Sequence, residues 1–201
     1  MRHVRRPSTI RSWALLTVIL APFLGCASAD YSGSKLYEQA RNEANSGNAE
    51  AAMATLKKGV SSYPDNPRIR LELARLQIEK GEAHHLQERE LMRTYGSLLE
   101  ADQVTEARAS LAEAEAQRAK ALPWYTAARD HLDLAIQIEE EPEFVAWSSE
   151  LATKVAVFFE DWKAAYDHLT EAIELGKPTG ERLARWREFQ AALRQKVGPD
   201  H

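Results

Sequence analysis

Three groups of residues in this chain have side chains suited to chemistry: the single cysteine, Cys26; the adjacent pair His84-His85; and the acidic run Glu139-Glu140-Glu141-Pro142-Glu143. A lone thiol excludes an internal disulfide framework and a cysteine-ligated metal cluster. Adjacent residues on a helix point about 100° apart, so His84 and His85 cannot chelate one ion as histidines four apart do. His131 and His168 have no paired histidine at ligand spacing, and all four read as surface or half-buried side chains. The acidic run lacks the alternating, oxygen-rich loop of a calcium site and reads as a solvated helix end and turn. The chain contains no nucleophile elbow, phosphate-cradling glycine loop or His-Glu-x-x-His helix. Serine pairs such as Ser61-Ser62 and Ser148-Ser149 are expected at helix ends, where capping explains them. The sequence therefore predicts no catalytic residues, no metal, no cofactor and no enzyme.

Cys26 stands out by its position. Upstream lie Arg2, Arg5, Arg6 and Arg11, then an uncharged apolar stretch from Trp13 to Leu24. A basic segment followed by a short apolar one is the layout of an export signal. Phe23-Leu24-Gly25 before Cys26 resembles the lipobox of bacterial lipoproteins, although Phe23 replaces the more usual leucine. The resemblance implies a signal peptide over 1–25, cleavage before Cys26, and acylation of its thiol and new amino group, the only covalent additions expected. Residues 26–32 then form the lipidated cysteine and a short linker. Ala27 after the cysteine resembles the pattern that sorts such proteins to the outer membrane, on its periplasmic face; an inner-membrane anchor is the alternative destination. Cleavage after Ala27-Ser28-Ala29 would instead leave a soluble periplasmic or secreted protein. An uncleaved anchor is a third reading, against which stand Pro22 and a run shorter than the ~20 residues of a spanning helix.

Beyond that segment about 176 residues remain, enough for one domain or a short repeat array. The first 25 residues hold four of the 26 Lys and Arg and none of the 30 Asp and Glu, so the remainder carries a net charge of about −8. Such a balance argues against nucleic acid, which needs a positive field, and against a polybasic grip on anionic lipid. Ala, Leu, Glu, Gln, Arg and Lys dominate, with Gly and Pro at intervals, the composition of an all-helical protein.

The elements that position these residues repeat. Gly47 and Gly81 are 34 residues apart, as are Ala40 and Ala74. Ala52-x-x-x-Leu56-x-x-Gly59-Val60 is echoed by Ala128-x-x-x-Leu132-x-x-Ala135-Ile136 and by Ala165-x-x-x-Leu169-x-x-Ala172-Ile173. These spacings put small and large residues on one helix face, so that a neighbouring helix approaches over the small ones. Gly47, and Pro64-Asp65-Asn66-Pro67, are predicted to end helices and reverse the chain. The pattern resembles the tetratricopeptide repeat, most closely over 33–66. The expected fold is an all-α, tetratricopeptide-like solenoid of helical hairpins. About four units are expected, over 33–66, 67–100, 109–142 and 146–179. A capping helix and tail then occupy 180–201.

In the second unit Gly81 is predicted to break the chain, and Ala83–Glu100 to form a second helix with Leu91, Tyr95 and Leu98 inward. In the third, Trp124–Ile138 is the second helix, after an extended first helix that absorbs the extra residues. A single long helix over Ala101–Ala121 is the alternative, but Ala107, Leu111, Ala114 and Arg118 make no clean heptad seam. Asp161-Trp162 is the turn of the fourth unit, and Leu183, Trp186, Phe189 and Leu193 are the inward side of the cap.

In the family resembled, the first helix of each unit lines a groove. Mapped onto this chain, that implies Tyr37 and Arg41; Arg68, Leu71, Arg75 and Ile78; and Trp147, Lys154 and Phe158. Scattered Arg and Lys among apolar anchors suit an acidic or C-terminal peptide. The implied function is a membrane-tethered scaffold or assembly factor that binds a protein or peptide in the cell envelope. Two alternatives stay open: a small molecule held in the curl of the solenoid near Trp147 and Phe158, and a structural lipoprotein that self-associates.

Overall fold

The computed structural model describes residues 26–198, with side chains from residue 33 onward. The expected signal peptide over 1–25 and the side chain of Cys26 lie outside the described residues. Among the described residues seven α-helices follow one another: α1 Cys26–Asn45, α2 Ala49–Ser62, α3 Pro67–Glu100, α4 Val104–Ile138, α5 Pro142–Phe158, α6 Trp162–Gly176 and α7 Gly180–Val197. Helix α1 starts at Cys26, so the stretch expected as a linker is helical.

Helices α1 and α2, α3 and α4, and α5 and α6 pair as hairpins; α2 packs on α3 and α4 on α5 to join them, and α7 covers α6. The first helices of successive hairpins also meet, α1 with α3 and α3 with α5. The architecture is an all-α solenoid of helical hairpins with a terminal capping helix. Its unit count departs from expectation. Residues 67–100, expected as a hairpin turning at Gly81, are one 34-residue helix. The third unit likewise dissolves into α4, which runs through Pro123 for 35 residues. The stack therefore has three hairpins, of which the middle is about 50 Å long at 1.5 Å per residue.

The turns inside the hairpins explain the difference. Gly47, Asp102 and Glu160 all take left-handed backbone, with φ of 82°, 59° and 59°. At each, the left-handed residue donates its N–H three residues back: Gly47 to Ala44 (2.9 Å), Asp102 to Leu99 (3.1 Å) and Glu160 to Val157 (3.1 Å). The residue after it donates five back, Asn48 to Glu43, Gln103 to Leu98 and Asp161 to Ala156, all at 2.9 Å. This Schellman arrangement closes the carbonyl end of a helix. The side chains of Asn48 and Asp161 then cap the next helix, accepting from the N–H of Ala51 (3.2 Å) and Ala164 (3.0 Å). The counterpart of Gly47 in the second hairpin is Asp102, not Gly81. A non-glycine residue carries a steric cost in this region, so Asp102→Gly should stabilise the fold by about 0.5–1 kcal/mol. Urea unfolding checks this, and a lower midpoint for the variant would contradict it.

Between hairpins, Pro64 to Pro67 behave as expected. Asn66 accepts from the N–H of Ile69 at 3.1 Å, and Pro67 opens α3 where no intrahelical donor is needed. Gly59 lets the two helices close: a Cβ there would stand 3.0 Å from the side chain of Ile69.

Three apolar cores run along the stack. The first joins α1, α2 and α3 through Ala40, Ala52, Met53, Leu56, Ile69, Leu73 and Leu76. The second joins α3, α4 and α5, with Ile78, Tyr125, Leu132, Val155 and Phe158 among its members. The third joins α5, α6 and α7 through Ala156, Ala165, Leu169 and Leu193. The small and leucine positions of the three repeated spacings are thus buried, as expected, while Val60, Ile136 and Ile173, which close them, are half-buried. On α7 the inward stripe is Trp186, Gln190 and Leu193, with Gln190 donating to Thr170 at 2.7 Å. Phe189, expected inward, is 42% exposed.

Candidate interaction surface

The nine residues mapped to a groove divide sharply by burial. Leu71, Ile78 and Phe158 are 0%, 1% and 2% exposed and belong to the middle core. They are not anchors for a ligand. Phe158 lies flat against Tyr125, with centroids 4.0 Å apart and planes 7° from parallel. The pocket imagined between Trp147 and Phe158 is therefore absent: Phe158 is filled over by α4, while Trp147 faces outward, 38% exposed.

The charged candidates do form a surface. Arg68, Arg75 and Glu82 recur every seven residues on α3, and Trp147 and Lys154 stand in the same relation on α5. The two stripes meet where Lys154 Nζ lies 3.5 Å from Glu82. Arg68 reaches toward Glu141 at 4.0 Å. Further out, Arg41 sits over the ring of Tyr37 at 5.7 Å on α1.

On this surface Arg68, Arg75 and Lys154 each lie against a carboxylate. Arg75 donates two hydrogen bonds to Glu72, from Nε (3.1 Å) and from a terminal nitrogen (2.6 Å), and a third to Glu79. The bond to Glu72 and the two nearby carboxylates outweigh partial burial and raise the pKa of Arg75. Alternating sign, rather than a positive field, is what this surface offers, so the expected preference for an acidic peptide has no basis in its charge. Glu72, Glu79 and Glu82 were missed, although Glu72 and Glu79 stand at helix-neighbour spacing from Arg75.

A second cluster, also missed, lies where α3, α4 and α5 meet. Glu88 is buried, held by His85 Nδ1 at 2.9 Å and by Arg118 at 3.0 Å. Arg118 also reaches Glu160 at 3.1 Å and lies 5.3 Å over the Phe158 ring. The bond that Arg118 donates to Glu88 leads the upward shift of the Arg118 pKa. Burial, with Glu82 and Glu88 nearby, pushes the Tyr125 phenol above its ordinary range. Arg118 stands 30 residues from Glu88 and 42 from Glu160, so no local pattern signals those ties; only His85, three residues before Glu88, stands at helix-neighbour spacing. The geometry of the cluster is that of a polar tie between hairpins: Arg118 and His85 are both already engaged with carboxylates.

His84, His85, His131 and the Ser148-Ser149 pair are engaged in structural contacts. His84 Nδ1 is 3.0 Å from Gln117, while His85 turns to Glu88, so the two rings point to different partners. His131 packs 3.4 Å from Arg70, and burial followed by that guanidinium lowers its pKa. Ser148 and Ser149, expected at a helix end, sit buried in the middle of α5. Ser148 donates to the carbonyl of Phe144 (2.9 Å), and Ser149 donates to Glu171 on α6 (2.6 Å). Among the described residues no group of three or more His, Cys, Asp or Glu is placed to hold a metal ion. No helix among them is long and apolar enough to cross a membrane.

Residues 35–83 match the tetratricopeptide repeat family model. The match covers the first hairpin and stops two residues past Gly81, where a regular unit would turn and α3 instead continues. No curated protein and no solved structure matches the chain. The fold is accordingly a tetratricopeptide-like solenoid, an architecture that generally mediates contacts between proteins.

Proposed function

We propose that this chain is a tethered, non-catalytic interaction module of the bacterial cell envelope. A signal peptide over 1–25 directs export, acyl chains on Cys26 hold the protein at the periplasmic face of the outer membrane, and the solenoid binds a protein or peptide partner. No metal, cofactor or nucleic acid enters this function. The observation that carries the binding part is the surface across α3 and α5. There exposed Trp147, Lys154 and Arg68, with half-buried Arg75 and Glu82, stand on adjoining helices of a tetratricopeptide-like stack. Alternating charges give such a surface specificity in register more than raw affinity. The lone cysteine after Phe23-Leu24-Gly25 supports the anchoring part. A single acyl chain holds a protein only marginally, at ~0.8 kcal/mol per buried CH₂, so several chains on one residue make release negligible.

Two measurements test this. Cys26→Ser should move the protein from the membrane fraction to the soluble one, and a variant that still sediments with membranes would remove the anchor. Photo-crosslinkers placed at Arg75 and at Lys154 in intact cells should capture the same envelope protein, while one at exposed Arg108 on α4 should not. Capture of unrelated proteins from the two positions would defeat the binding surface.

A further inference from the structure

The solenoid does not close evenly at its C-terminal end. Helix α7 packs on α6, but no Cα of α7 comes within 8 Å of one on α5. The gap is a cavity of about 360 Å³, with Trp147 and Trp186 among its walls and Glu143 and Glu150 at its edge. Arg182, on the first turn of α7, reaches into it. Its guanidinium lies 4.5 Å over the Trp186 ring and donates to Glu150 at 2.6 Å. An aromatic face with a carboxylate beside it is the pairing that a planar guanidinium satisfies best, by stacking and by directional hydrogen bonds at once.

We propose that this recess is a receptor for an arginine side chain of the partner polypeptide, and that Arg182 is the internal stand-in which the incoming guanidinium displaces. Three observations converge on it. Arg182 is the one cation among the lining residues, against two carboxylates, so the site has charge for a second cation. The Arg182 side chain is 56% exposed and that of Glu150 31%, and an ion pair so open to water contributes little to stability, so exchanging it costs little. Trp147, which forms the outer wall, lies on the same stripe of α5 as Glu150 and Lys154, so a chain lying across α3 and α5 reaches the recess. This inference rests on the interaction surface proposed above and adds to it a chemical identity for one partner residue.

The probe is a blocked Ala-Arg-Ala peptide, titrated into the isotope-labelled full chain while the indole N–H resonances of Trp147 and Trp186 are followed. Its controls are the citrulline counterpart, which is neutral and nearly the same shape, and free L-arginine. Both indoles should shift with the arginine peptide and stay in place with citrulline. Arg182→Ala should bind the peptide about three- to tenfold more tightly, because the competitor is gone. Glu150→Gln should bind it about tenfold more weakly, the scale of one hydrogen bond to a charged group. Arg182→Gln, which keeps most of the side chain's length, repeats the first test if the alanine variant disturbs α7.

Equal shifts with citrulline, unchanged affinity in Glu150→Gln, or silence in both the wild type and the Arg182 variants would overturn the proposal. Binding of free L-arginine as tight as the peptide would overturn the assignment to a partner's side chain. The crosslinks from Arg75 and Lys154 separate the two readings. Capture that persists while the peptide fails to bind removes only the arginine receptor. Peptide binding without capture removes only the wider surface.

Discussion

Phe158→Ala should cost about 3–5 kcal/mol, a loss that approaches the whole stability of a modest domain. Phe158 is the largest fully buried side chain among the described residues and the last residue of α5. It stacks on Tyr125 from α4, meets the edge of His85 from α3 at 5.3 Å, and carries Arg118 above its ring at 5.3 Å. Truncation removes all of these contacts and leaves a cavity that the surrounding helices cannot collapse into, since His85 and Arg118 are held by Glu88. The loss should also spread in a particular way. In a stack where each unit touches its neighbours alone, an interface residue couples two units. Trp124 reports on the middle hairpin and Trp162 on the third, so single-tryptophan versions of the variant should show both unfolding at lower urea. A loss below ~1 kcal/mol, the scale of surface substitutions, would mean that the ring is not the keystone of this junction.

The first hairpin was legible because its signals are local. Gly47 and Asn48 close and reopen a helix within four residues, Pro64 to Pro67 do the same at the next turn, and Ala52, Leu56 and Gly59 mark the buried face by spacing alone. The middle hairpin was not, because its decisive residues look like something else. Asp102 performs the turn that Gly47 performs, but an aspartate after Leu-Leu-Glu-Ala carries no mark of left-handed backbone. Pro123 suggests a helix start, and yet α4 runs through it. An interior proline costs about 3 kcal/mol through its lost donor and ring clash, which is bearable in a helix packed against α3 along most of its length.

The same error of register explains the candidate surface. Mapping repeat positions onto α3 as though it turned at Gly81 put Leu71 and Ile78 on an open face, whereas an unbroken α3 buries both against α4 and α5. Arg75, Lys154 and Trp147 survive as surface residues because long polar or amphipathic side chains find water whichever way the helix is rotated by a few tens of degrees. The carboxylates that neutralise Arg75 follow helix-neighbour rules and were readable; the tie between Glu88 and Arg118 is a product of tertiary packing and was not.

Glycine at position 81 should prove indispensable for a reason unrelated to turning, and a second glycine in the same helix supplies the comparison. A Cβ at Gly81 would stand 2.8 and 2.9 Å from two ring carbons of Tyr125, and 3.3 Å from the Cβ of Trp124. The ring cannot step back, because its far face is stacked on Phe158. Gly81→Val adds three carbons there, in a helix that also disfavours β-branching. It should destabilise by about 3 kcal/mol or more, at or above the usual range for overpacking. Gly81→Ala sets a gain in helix propensity of about 1 kcal/mol against a clash of 1–3 kcal/mol, and the net should be a loss. At Gly96 the added Cβ meets nothing within 4 Å, so Gly96→Ala keeps only the propensity term and should gain about 1 kcal/mol. Opposite signs for one substitution at two sites on α3, measured by urea unfolding, would establish that the close approach of α4 holds Gly81 in place. If both alanine variants were more stable than the parent, Tyr125 would have room to move, and the contact between α3 and α4 at this level would be looser than the packing described above.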